Sequence, residues 1–198
     1  MPIKKIKRTF RKTRYVLYKE TLVDFREHFW AFLGSFIGIG TIAYLQSDLS
    51  NSDQIFLIGS FGASAVLVYG VIHSPLAQPR NLVGGHVISA IIGVSIQKFV
   101  PDILWINAPL AVSLSIVFMQ ITKTLHPPGG ATALIAVTGS EAIKNLGYWY
   151  VLTPVLTGAG ILLATALVFN NMTSKRQYPT GKKFLHIKKR LHGFLKRS

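Results

Sequence analysis

Apolar and polar positions along this chain fall in long blocks, not at the short periods of a water-soluble helix or strand. Apolar runs cover residues 28–46, 55–72, 81–99, 103–121 and 148–169. Polar stretches such as SDLSNSDQ, HSPLAQPR and EAIKNLG separate them. A helix needs about 20 residues to cross a hydrocarbon core of roughly 30 Å, and these five runs approach that length. A sixth run, 127–139 (PPGGATALIAVTG), is only 13 residues long. It is expected as a short span sheltered by its neighbours or as a re-entrant half helix, because irregular backbone at membrane depth survives only against protein or a polar cavity. The expected fold is an all-α polytopic membrane protein with about six hydrophobic segments.

The segments also repeat. GASA at 62–65 aligns with GATA at 130–133, an offset of 68 residues that also carries 81–98 onto 149–166. Each half then reads as a long segment, a small-residue segment and a long segment. If each half crosses three times, the copies are inverted and related by a pseudo-two-fold axis in the membrane plane. Secondary transporters use that arrangement and place their sites at the repeat interface, often at Gly/Pro-interrupted segments. The alternative is coincidence, since tight helix packing favours such small residues anywhere.

Charge adds a direction to this picture. Only 15% of residues are charged, against roughly 25% in ordinary soluble domains. Residues 1–27 hold nine Lys/Arg and three acids, residues 171–198 hold nine Lys/Arg and no acid, and the 143 residues between hold four of each sign. The expected organisation is a basic segment at 1–27, a transmembrane domain at 28–170 and a basic tail at 171–198. With six crossings, both tails, Arg80 and Lys123 share one side, whereas Asp48, Asp53, Asp102 and Glu141 lie opposite with Lys98 and Lys144. The positive-inside bias then puts both termini in the cytoplasm of a cell inner or plasma membrane. Four crossings would also bring the ends together. The basic ends are expected on anionic headgroups rather than on nucleic acid, and IKKRLHGFLKRS at 187–198 would lie there as a short amphipathic helix. The first 27 residues contain no short apolar core of the kind a cleavable signal needs.

The candidate chemistry sits where the helical pattern breaks. In LHPPGGATAL, Pro127 and Pro128 suit a helix start, where an N–H has no intrahelical partner. Gly129 and Gly130 admit close approach by backbone or ligand. The first turn, its dipole and Thr132 would make an anion-binding corner facing His126. A rigid break that merely starts a short helix is the alternative. The other half offers Gly59, Ser60, Gly62 and Ser64 but no matching histidine. His86 lies one position from a Gly85/Ser89/Gly93 packing stripe. A polar group at membrane depth is a functional candidate, and a satisfied structural hydrogen bond is the competing role. Arg80 would attract anions at the membrane face or simply mark its edge. Asn107 reads equally as helix glue or cavity lining. The chain has no cysteine, and His28, His73, His86 and His126 follow no metal-ligand spacing. No catalytic dyad is suggested, so neither an enzyme nor a cofactor is expected. With no carboxylate placed in the core, its hydroxyls, histidines and glycine backbone favour a small anion or neutral solute over a cation.

HPPGGATAL (126–134) and SPLAQPRNLVGGH (74–86), with RQYP (176–179) as a weaker third block, resemble the HPP family of integral membrane proteins. The resemblance covers about residues 25–180. It implies a membrane fold usually described with four spans. Plant chloroplast members are associated with nitrite transport, so it also implies nitrite or a similar small monovalent anion as substrate. The family pattern falls on His126, Pro127, Pro128, Gly129 and Gly130, and on Pro79, Arg80, Gly84, Gly85 and His86, without a role for each. The function expected is thus an anion transporter or channel, and the alternative is a non-transporting membrane scaffold. A homo-oligomer is plausible for so small a bundle. The stripes at Gly34–Gly38 and Gly85–Gly93 could serve contacts within or between chains.

Overall fold

The computed structural model describes residues 25–180 apart from Asp48 and Ser50. The basic segment before Phe25 and the expected amphipathic helix at 187–198 lie outside the described residues. The chain is all-helical over the described residues: α1 Phe25–Leu45, α2 Asn51–Ala65, α3 Pro79–Phe99, α4 Leu104–Ile121, α5 Pro127–Thr138, α6 Glu141–Leu146 and α7 Thr157–Phe169. Two π-helical turns, Val66–Gly70 and Val151–Leu156, extend α2 and precede α7, and a 3₁₀ turn, Pro75–Ala77, lies in the loop before α3.

Among the described residues, four stretches are long and apolar enough to cross a membrane: Phe25–Leu45, Pro79–Phe99, Leu104–Ile121 and Val151–Phe169. The chain is therefore a multi-pass membrane protein. α5 has 12 residues, a rise of about 18 Å, well under a bilayer core. The run at 55–72, expected as one helix, ends its regular α turns at Ala65. The run at 148–169 breaks at Thr153, whose extended backbone (φ −137°, ψ 124°) precedes Pro154.

Packing follows the small residues. On α1, Gly34, Gly38 and Ile42 form the buried face, while Phe29, Phe32 and Phe36 stay exposed, as lipid-facing residues would. A Cβ on Gly34 would lie 2.8 Å from the Tyr69 ring and from the Phe169 Cβ, so the glycine lets α1 close onto α7 and the first π turn. Gly93 on α3 abuts Ala133 and Ala136 of α5 in the same way. Both glycine stripes thus serve contacts within the chain. α3 packs chiefly on α5 and α4, α1 on α7, and α2 meets α5 in the middle. One apolar cluster joins Ile42, Phe61, Tyr69, Leu82 and Leu162. A second joins Leu57, Ala90, Val94, Ile135, Tyr150 and Val155.

The two ends of the bundle hold different residues. At one end Arg176 donates to the carbonyls of Glu27 (3.2 Å) and Tyr69 and to Asn170 Oδ1 (2.7 Å), and its Nε lies 3.5 Å from the Glu27 carboxylate. Tyr178 donates to Ala77 O (2.7 Å) and Arg80 to Thr122 O (2.6 Å). At the other end Ser140 donates to Asp53 through its N–H (3.0 Å) and its hydroxyl, and Lys144 pairs with Asp102 (3.3 Å). Asn107 donates to Pro101 O (3.0 Å) and so fastens the start of α4.

Candidate functional site

Ser60 and Ser64 lie four residues apart on α2, so their side chains stack on one helix face. That face meets α3 at His86 and α5 at Thr132. His126 caps the start of α5, reached from α4 by a short turn. Ser60, Ser64, His86, Thr132 and His126 are all buried, three of them completely. They form one continuous chain of contacts. Ser60 Oγ is 3.0 Å from Thr132 Oγ1, which is 2.7 Å from His86 Nδ1. His86 Nε2 is 2.7 Å from Ser64 Oγ, which is 2.9 Å from His126 Nε2. His126 Nδ1 ends the chain 2.8 Å from Leu76 O, in the loop held by Tyr178. The two imidazole centroids are 5.0 Å apart, and Phe61 covers His86 at 5.1 Å.

With both histidines neutral, donor and acceptor rules place the protons. A carbonyl only accepts, so His126 carries its hydrogen on Nδ1, and its Nε2 accepts. Ser64 therefore donates to His126 and accepts from His86 Nε2–H. His86 Nδ1 then accepts from the Thr132 hydroxyl. Ser60 directs its own hydrogen to Thr132 or to Pro128 O at 3.1 Å. Every ring nitrogen is satisfied with both histidines neutral, which is how polar groups are buried without a large penalty. Tyr150 completes the surroundings by donating to Thr132 O (3.0 Å).

The glycines of both family blocks shape this seat. A Cβ on Gly85 would overlap the His126 Cβ and approach Thr124 O to 2.9 Å, and one on Gly129 would lie 2.8 Å from Ser89 Oγ and 2.9 Å from Gly85 O. α3 and α5 thus touch backbone to backbone, and His126 is pressed against α3. Gly130 is looser, with only Val112 Cγ1 at 3.7 Å, and Gly62 has nothing within 4 Å. The helix start offers fewer free donors than its position alone implies. Pro127 and Pro128 carry no N–H, and Gly129 N–H donates to His126 O (2.8 Å). The polar groups that converge here are side chains. Pro127 is exposed, and Arg80 is an exposed brace on the turn between α4 and α5, so neither joins the cluster.

Several participants escape the sequence. Leu76 contributes only its carbonyl, which its residue type does not announce. Tyr150 reaches Thr132 from beyond α6. Glu27 and Arg176 stand 149 residues apart in the chain. RQYP was the one available signal for the last, since it contains Arg176 and Tyr178. Burial lowers the Arg176 pKa from its ordinary value against the opposing pull of Glu27, and raises that of Tyr178, to which nearby Tyr69 adds. Among the described residues no three His, Cys, Asp or Glu side chains converge as a metal site would require.

Residues 20–179 match the family model described as "HPP, transmembrane region". Two transmembrane proteins of Dictyostelium discoideum are each 48% identical over 163 residues, covering 79% of this chain and 51% and 56% of their own lengths. The chain thus spans about half the length of these curated relatives. No solved structure matches it.

Proposed function

The chain belongs to the HPP transmembrane family, and from that premise we propose that it carries a small monovalent anion, nitrite first among candidates, across the bilayer. A family model that describes a transmembrane region is consistent with a membrane transport protein. The observation that carries the reading is the buried chain of Ser60, Thr132, His86, Ser64 and His126 between otherwise apolar helices. Polar groups at such depth are costly unless they serve substrate or packing. The hydroxyls and imidazoles can turn N–H and O–H donors toward an oxyanion once the helices part. Complete burial of Ser64, His86 and His126 supports an occluded carrier over a standing pore. Gly130 and Gly62, with room beside them, are the natural lining of the path, and Arg80 with Lys123 raises the anion concentration at its mouth.

We further propose six crossings built as two inverted repeats. Each half lends its last helix to the other: α3 packs on α4 and α5, while α7 packs on α1. Ser60 touches Pro128 O and Ser64 stands opposite Thr132, and 60 with 128 and 64 with 132 are pairs at the repeat offset. The transmembrane unit is proposed as 28–170 between cytoplasmic basic ends. Both of its boundary regions contribute to the Glu27–Arg176 contact.

The test is nitrite movement in proteoliposomes made from purified protein, compared with protein-free vesicles. Protein-dependent flux is expected between about pH 5 and 8, where free histidine titrates. Its absence across that range would leave the cluster a structural tie in a membrane scaffold.

A further inference from the structure

We propose that the Ser64–His86–His126 cluster binds one proton together with each anion, so that transport is an electroneutral proton–anion symport; this rests on the transport reading above. His126 Nε2 is the ring nitrogen to which Ser64 donates, and its lone pair is the place for an added proton. A protonated His126 has donors on both nitrogens, so the Ser64 hydrogen must leave that contact. It has somewhere to go, because Ser60 O lies 3.2 Å from Ser64 Oγ. With the hydroxyl turned to Ser60 O, Ser64 Oγ accepts from His126 Nε2–H and from His86 Nε2–H at once. Leu76 O keeps its bond from His126 Nδ1–H throughout. The balance is simple: one proton from water binds the Nε2 lone pair, one hydroxyl rotates, and no heavy atom need move or lose a partner.

The proton and the anion then require each other. A lone imidazolium among apolar helices is penalised by desolvation, and so is a lone anion. The groups around the cluster do not neutralise either charge. α2 carries Asp53 at its far start, held by Ser140. α3 carries Arg80 at one end, on Thr122 O, and Lys98 at the other, beside the Tyr148 ring. Tyr150 donates to Thr132 O and Tyr178 to Ala77 O. His73 and Lys123 are exposed on the loop and the turn; α4, α5 and α7 carry no charged side chain. Once the helices part, the Nε2–H donors of His126 and His86 can turn from Ser64 to the anion; the proton–anion pair carries no net charge, and linkage makes each partner raise the affinity for the other.

The experiment uses the full-length protein in proteoliposomes with nitrite as the probe and protein-free vesicles as the baseline for permeant nitrous acid. An inward proton gradient at clamped zero potential should drive nitrite uptake above that baseline, and an imposed potential without a proton gradient should not. Uptake that follows potential and ignores the proton gradient overturns the coupling while leaving transport standing. No protein-dependent uptake under either force overturns the transport reading and the coupling with it. Ser64→Ala should lose gradient-driven uptake and Ser64→Thr, which keeps the hydroxyl, should retain it. If Ser64→Ala does not fold, proton uptake on adding nitrite to weakly buffered wild-type protein decides instead: one proton per bound nitrite is expected, and none overturns the proposal.

Discussion

A single missing Cβ decides where His126 sits. Gly85 leaves room for the His126 Cβ and for Thr124 O, neither of which can swing away as a flexible side-chain tip would. Gly85→Ala should therefore strain the α3–α5 contact by about 1–3 kcal/mol, the usual range for overpacking. Thermal unfolding in detergent should show a lower Tm for Gly85→Ala, whereas Gly62→Ala, with nothing within 4 Å, should stay near wild type. Equal midpoints for the two would mean that α3 and α5 are not held this closely. The hydroxyl of Thr132 invites a different substitution. Thr132→Val keeps the shape but removes the donor to His86 Nδ1, leaving a buried acceptor unpaired at a cost of about 1–3 kcal/mol. Ser60 keeps Pro128 O as an acceptor, so the loss should fall on His86. Gly130 separates transport from stability, since its Cβ direction is nearly open. Gly130→Leu should remain folded by its unfolding midpoint yet lose nitrite flux, and unaltered flux would remove Gly130 from the pathway.

Helices meet one another through a few anchoring contacts, and the latch at one end of the bundle joins three of them. Arg176 ties Glu27 at the start of α1, the Tyr69 carbonyl in the π turn after α2, and Asn170 at the end of α7. Arg176→Ala would leave the buried Glu27 carboxylate with the Thr173 hydroxyl (2.7 Å) but no opposing charge, a change worth about 3–5 kcal/mol for a fully enclosed pair. At this edge of the bundle the lower figure is expected. Glu27→Gln combined with Arg176→Gln should recover part of the lost Tm, and a double variant no better than Arg176→Ala would show that the carbonyl contacts matter more than the charge. Such contacts mark the limit of what the sequence discloses. Four of the five long apolar runs form helices whose length and composition suffice for a span, whereas the run at 55–72 does not. The breaks after Ala65 and at Thr153 are hidden, because neighbouring helices rather than local propensity make an interrupted helix tolerable in lipid. The cluster was half visible. Ser60, Ser64, His86, Thr132 and His126 are polar residues in apolar runs, but their convergence depends on helix crossings that no spacing encodes, and Leu76 acts through a carbonyl that any residue has.

The contacts at the two ends of the molecule bear on how it sits in the membrane. Glu27, Ala77 and Arg176 meet near one another through the tail, and Arg80 joins the same neighbourhood to Thr122. Asp53 with Ser140 and Asp102 with Lys144 gather at other contacts. Six crossings place His73 on the side of the tail and Asp102 on the opposite side. Four crossings, with α2 and α5 re-entrant, would exchange those two positions. The chain contains no cysteine, so single introduced thiols report without background. His73, Asp102 and Ser174 are all exposed, and an exposed ion pair such as Asp102–Lys144 contributes little to stability. His73→Cys and Ser174→Cys should react with a membrane-impermeant maleimide from the same side, the cytoplasmic one by the positive-inside bias, and Asp102→Cys only from the other. Asp102→Cys labelled together with Ser174→Cys, and His73→Cys from the far side, would instead establish four crossings and end the inverted-repeat reading. The expected pattern would leave the buried histidines reached from the tail side through the loop that carries Leu76, the route that a proton and an anion entering together would share.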